Sequence, residues 1–147
     1  MGILCGMSEA HVNASLIREF HDAQNRFYAG GDQQHVRAML AEDVVWHVPG
    51  RSAIAGDYLG LDEVLRYFVA RRELARATFR IVVRGVLADD ERAVIFAGGQ
   101  VQRDGESSAW ETVGVFRIAH DKIAECWVLP YDQYSFDEIW SPESSRR

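Results

Sequence analysis

The chain has 147 residues, enough for one domain with a real core. Its 48% hydrophobic and 26% charged residues are ordinary for a soluble globular protein and exclude disorder. A net charge of −6 excludes broad attraction to nucleic acid or anionic membrane, which rewards clustered Lys and Arg.

Met1 to Met7 carries no basic residue before its short apolar run, so it makes a poor secretory signal. Gly6 stands where a myristoylation motif wants Ser or Thr, and either Met1 or Met7 can be the natural start. No apolar run is long enough to span a bilayer. Cys5 and Cys126 make no disulfide framework, and a cytoplasmic location is the expectation.

Ser8 suits an N-cap, and Val12, Leu16, Phe20 and Phe27 fall near one face of a first helix. Gly30-Gly31 stops it, and Asp32 can cap a short second helix carrying Val36, Met39 and Leu40. A strand from Val44 to Val48 follows, ended by Pro49-Gly50, then a Gly-rich crossing. A third helix is expected from about Leu61 to Arg76. Asp62 and Glu63 at its start and Arg71, Arg72 and Arg76 at its end complement the macrodipole.

From Thr78 onward the chain reads as antiparallel sheet. Phe79, Ile81 and Val83 alternate with Arg80, Val82 and Arg84, the period of a strand with unlike faces. Strands from Arg92 to Gln102, Trp110 to Ile118 and Ile123 to Leu129 follow, with a hairpin at Asp104-Gly105 and a tight turn through His120-Asp121. Ser135-Phe136-Asp137-Glu138 fits the capping box of a closing helix. Three helices with one inserted strand, then a four-strand meander, define an α+β fold. The expected organisation is a flexible extension over 1–7, a single domain over 8–141 and a flexible tail over 142–147.

Three segments carry a family resemblance. They are Gly31-Asp32 with Leu40-Ala-Glu-Asp-Val-Val-Trp46; Pro49-Gly50 with Ala55-Gly-Asp-Tyr-Leu-Gly60; and Ile123-Ala-Glu-Cys-Trp-Val-Leu-Pro-Tyr-Asp132 with Phe136-Asp-Glu-Ile-Trp140. In this order the chain resembles the SnoaL-like and ketosteroid-isomerase-like branch of the nuclear transport factor 2-like superfamily, from Ser8 to Trp140. The resemblance implies a cone-shaped, curved, antiparallel-rich sheet packed on three N-terminal helices around a pocket. It also implies a homodimer through the sheet face.

Ketosteroid isomerases use a carboxylate base with a Tyr and a protonated Asp on the oxyanion. Aligned on the shared motifs, this chain has His47 near the base, Gln24 at the Tyr and Gly114 near the Asp, so steroid isomerisation is not expected. Similarity to SnoaL-type cyclases points to Asp132 as an acid/base. The Asp-Arg-Asp set of limonene-epoxide hydrolases has no placement here.

His47 is the expected base, because imidazole titrates near neutral pH and the resemblance favours its side of the strand facing the cone. The bland alternative is a wall histidine bonded to a carbonyl. Asp132 is either its partner acid or the cap of the last helix. Asp57 needs no more than its turn to explain it. Gln24, Tyr28, Tyr58, Phe68, Trp110, Thr112 and Phe116 are the expected substrate-binding residues. The aromatic set suits a flat apolar ligand and equally suits ordinary packing. Glu111, opposite to Trp110, and the Arg80/Arg84 stripe belong outside. His11, His21, His35 and His120 have no zinc-site spacing, and no phosphate loop, nucleophile elbow or dinucleotide fingerprint is present.

The expectation is thus a pocket for a small hydrophobic, cyclic or polyketide-like molecule, with cofactor-independent proton transfer of the isomerase, cyclase or epoxide-hydrolase type as the chemistry if the protein is an enzyme. No metal, cofactor, nucleic acid or membrane partner is expected. A non-catalytic ligand-binding or dimerisation module is the rival, and a protein-interaction domain would need an apolar patch on the sheet exterior.

Overall fold

Ser8 opens helix α1 (Glu9–Tyr28) by accepting a hydrogen bond from the His11 N–H at 3.1 Å. In this computed structural model residues 8–141 are described, so the expected extension and tail lie outside the described residues. The buried face of α1 runs through Asn13, Ile17, Phe20, His21, Gln24, Phe27 and Tyr28, and the expected Val12 and Leu16 sit only at its margin. Three polar residues therefore lie on a stripe that must be covered. Asn13 donates to the Asp89 and Asp90 carbonyls, each at 3.0 Å, and Asn25 exchanges two 2.8 Å hydrogen bonds with the Ile81 backbone. These bonds pin α1 to the sheet and fix where His21 and Gln24 project.

Helix α2 (Gln34–Ala38) is one short turn. It leads into β1 (Leu40–Val48), which starts earlier than the sequence suggested. The Gly-rich crossing contains a strand missed in the sequence, β2 (Gly56–Leu59), paired antiparallel to β1 from Val48↔Gly56 to Val45↔Leu59. Its four residues are mostly exposed and show no alternation, so pattern alone could not reveal it. Helix α3 (Leu61–Leu74) then buries Val64, Leu65, Tyr67, Phe68 and Arg71.

The meander is as expected: β3 (Arg80–Ala88), β4 (Arg92–Arg103), β5 (Glu106–Ala119) and β6 (Lys122–Pro130). The six strands form one sheet in the order β2-β1-β6-β5-β4-β3, with β1 parallel to β6 and all other pairs antiparallel. Register shifts at Val83/Gly85 and Arg117/Ile118 add the local bends that curve it. α1 packs over β3 and β4, α3 over β1 and β2, and α4 (Gln133–Ile139) against β5. The closing helix is capped by Asp132, not by the expected Ser135 box; Asp132 accepts from the Ser135 N–H at 3.2 Å. The core is aromatic: Trp46 meets Phe20, Phe68 and Phe116, and Trp110 meets Phe79, Phe136 and Trp140, with centroids 5.0–5.9 Å apart.

Candidate functional site

Period-2 alternation gives β1 two faces, and only one looks into the fold. Val44, Trp46 and Val48 are buried, so they face the helices, while Val45 and His47 face out. The expectation that His47 lines the cone is therefore corrected. The His47 ring lies on the outer face, stacked on Trp127 with centroids 5.3 Å apart. Its Nδ1 is 2.7 Å from Asp57 and its Nε2 2.6 Å from Glu125, which also takes a bond from Arg117. Carboxylates only accept, so both ring nitrogens must donate and the ring is imidazolium. Partial burial would lower its pKa, but the bonds to Glu125 and Asp57 outweigh that and raise it. A ring with both nitrogens donating to carboxylates has no lone pair for base catalysis. Asp132 is likewise corrected as an acid: it is exposed at the surface and its carboxylate caps α4.

The inner face holds a cavity between α1, α3, α4 and the sheet. Its volume is about 60 Å³, and it opens to solvent. That is well below the ~150 Å³ hollow that admits benzene and suits about two waters or one polar head group. Glycine makes this space. A Cβ at Gly99 would lie 2.3 Å from the Trp110 ring, and one at Gly114 3.1 Å from both Ile95 and Phe116.

Four polar side chains on this wall decide its chemistry. Arg71, only 7% exposed, lines the cavity, with its guanidinium 4.6 Å from the Tyr67 ring centre and 5.0 Å from that of Phe79. Its Nη2 donates to the Tyr28 hydroxyl at 2.5 Å, and among the described residues no carboxylate pairs with it. Burial raises the Tyr28 pKa against the opposing effect of Arg71, so this phenol stays neutral. Arg71 Nε, Gln24 Nε2 and Trp46 Nε1 are all buried without a hydrogen-bond acceptor, and all three residues line the cavity.

His21 is the fourth. Its Nδ1 is 2.8 Å from the Ile17 carbonyl, which can only accept, so Nδ1 carries the proton. Burial lowers its pKa to about 4; the Ile17 bond works against this, the Arg71 charge lowers it further and Asp22 raises it. The ring is therefore neutral, and Nε2, its remaining polar atom, is a lone pair on a residue that lines the cavity. Cys126 also lines the wall, its thiol held protonated by burial.

Of the expected binding residues, the cavity brings together Gln24, Trp110, Thr112 and Phe116. Tyr28 acts one step back, through Arg71. Phe68 is buried behind the wall against Trp46, while Tyr58 stacks on Tyr67 and donates to the Ile54 carbonyl at 2.6 Å. His21 and Arg71 were missed. A signal existed: His21 follows Ile17 by four residues and Arg71 follows Phe68 by three, so both lie on the apolar stripe of a helix.

The SnoaL-like domain model matches residues 17–126, well over half of the chain, and the protein belongs to that family. Solved structures agree on the fold. Bal32a, from a soil-derived mobile gene cassette, is 29% identical with a TM-score of 0.83, covering 90% of this chain and 99% of that one. A protein of unknown function with a cystatin-like fold from Xanthomonas campestris is 23% identical with a TM-score of 0.77, covering 87% and 97%. A nuclear transport factor 2-like protein from Burkholderia xenovorans LB400 is 22% identical with a TM-score of 0.72, covering 92% and 100%. No curated protein matches the chain. Among the described residues no His, Cys, Asp and Glu cluster could hold a metal, and no helix is long and apolar enough to cross a membrane.

Proposed function

We propose that this protein binds a small, mostly apolar cyclic or polyketide-like molecule in the inner cavity and moves a proton on it without a cofactor. The observation that carries this reading is His21, a neutral imidazole whose Nδ1 is tied to a backbone carbonyl, leaving Nε2 as its free polar atom at the cavity. That arrangement suits a general base. The donors Arg71, Gln24 and Trp46 take the place of the missing Tyr and Asp of the steroid isomerases, supplying N–H groups for negative charge that develops on a substrate oxygen. Protons on carbon next to a carbonyl are then the natural ones to move.

The test is solvent-deuterium exchange at such carbons in a panel of small cyclic ketones, followed by proton NMR. The wild type is expected to accelerate exchange in at least one ketone, and His21→Ala to abolish it. The Ile17 carbonyl keeps its helix bond in that variant, so the fold should survive. Binding of ketones without exchange in any would favour the non-catalytic module.

A homodimer through the outer sheet face is proposed as well. Val82, Phe96 and Leu129 are exposed there, Phe96 pairing through Val113 to Leu129. Several charges around them are paired, Arg84 with Glu111 at 2.7 Å and His47 with Asp57 and Glu125. Such a face does not repel its own copy. Sedimentation velocity should give a dimer that Phe96→Glu dissociates, and a wild-type monomer at tens of micromolar would contradict it.

A further inference from the structure

The polar deficit of the cavity is one-sided. Arg71 brings a full positive charge with no carboxylate among the described residues, and three N–H donors, from Arg71, Gln24 and Trp46, have no acceptor. The side-chain acceptors on the same wall, His21 Nε2, the Gln24 amide oxygen and the Thr112 hydroxyl, carry no negative charge. A buried charge left unpaired is costly, and π faces with one phenol bond compensate it only in part. Folding alone does not need this residue, since an apolar side chain of similar volume would pack there without that cost.

We propose that the ligand of this cavity is an organic acid, whose carboxylate occupies the cavity as the counter-ion of Arg71 while its apolar body lies toward the open side. This rests on the inner cavity being the binding site and names the class of molecule it takes. The dimensions agree: a cavity of about 60 Å³ holds a carboxylate but no ring, which leaves the apolar body toward the side open to solvent. A carboxylate accepts at two oxygens, matching the guanidinium fork and leaving acceptor capacity for the Gln24 or Trp46 N–H.

The acid also acts on His21. Arg71 is one of the causes that hold the His21 pKa down, beside burial, while Asp22 on the same helix raises it. The neighbouring titratable groups, the Tyr28 phenol on the same helix, the Tyr67 phenol on α3 and the Cys126 thiol on β6, are held neutral by burial. An anion on Arg71 cancels its repulsion, so binding moves His21 toward protonation and makes it a better base. Binding of the acid is thus coupled to partial proton uptake, which is fastest to detect on the acid side of neutrality.

The test is calorimetric and NMR titration of the intact protein with propionate and cyclopentanecarboxylate, each beside its neutral amide, and with chloride. Both acids are expected to bind at least tenfold more tightly than their amides, with cyclopentanecarboxylate the tighter of the two, and to raise the His21 pKa. Arg71→Met should fold and lose the acid preference. Should that variant fail to fold, the acid-to-amide ratio on the wild type still decides the matter. Equal affinity for acid and amide, or chloride binding as tightly as either acid, would overturn the proposal. Acid preference without ketone exchange would leave this site standing and remove the proton-transfer reading. Exchange without acid preference would do the reverse.

Discussion

Two histidines sit on opposite faces of the same structure, and they differ in what their nitrogens can still do. His47 lies on the outer face with Asp57 on one nitrogen and Glu125 on the other. His21 lies inside with one nitrogen on the Ile17 carbonyl and the other uncommitted. The outer ring is positive and satisfied, and the inner ring is neutral and incomplete. A histidine at a strand end, with a raised pKa and strong partners, is a structural clamp joining β2, β1 and β6. A histidine drawn into an apolar cavity beside an unpaired arginine is poised for a ligand. Reactivity follows from unsatisfied valence, and shifted titration alone does not mark it.

The sharpest way to break this contrast is to exchange the two rings' fates. His21→Ala should lower ketone exchange by at least 100-fold, within the usual worth of a general base, while His47→Gln should change it less than threefold. Equal losses would mean that the outer clamp governs the cavity.

Acid titration of stability separates them next. The His21 pKa falls from 6.5 to about 4 on folding, so the unfolded chain binds the extra proton between those values. Its contribution is present above pH 6.5 and is lost as pH falls toward 4, by up to about 3 kcal/mol at ~1.4 kcal/mol per unit. His47 runs the other way: its raised pKa gives stability present below 6.5 and lost as pH rises through the folded value. Urea midpoints across pH 4–8 should show a flatter acid limb in His21→Phe and a flatter neutral limb in His47→Gln.

Packing of the cavity wall is expected to matter at the next level. Gly99→Ala puts a methyl into the Trp110 ring and should cost about 1–3 kcal/mol, measured by denaturant unfolding. An unchanged midpoint would mean that Trp110 moves freely. The smallest effect is expected at Asp132. Its replacement by Ala removes the α4 cap for about 1 kcal/mol and should leave ketone exchange intact.

Most of the fold was legible because its signals are local. The alternation of β3 to β6, the Gly30-Gly31 stop and the dipole-matched ends of α3 all appear in the residues themselves. The strand β2 was not, since an edge strand of four exposed residues leaves no pattern. On β1 the pattern was there: Val44, Trp46 and Val48 are uniformly apolar, against Asp43, Val45 and His47. Family resemblance pulled the assignment toward the His47 face, and burial of Trp46 decides against it. Gln24, Trp110, Thr112 and Phe116 were named from sequence and do reach the cavity. Arg71 escaped because an arginine in the last turn of a helix already has an explanation in the macrodipole. Only the packing of α3 shows that this charge is turned inward, onto the face that buries Phe68.

Ring nitrogen NMR of the histidines during propionate addition tests most directly that the inner face is the working one. His21 is expected to begin as the Nδ1–H tautomer, neutral down to about pH 4, and its Nε2 resonance to move on addition while the doubly protonated His47 does not respond. A response at His47 with His21 silent would contradict it.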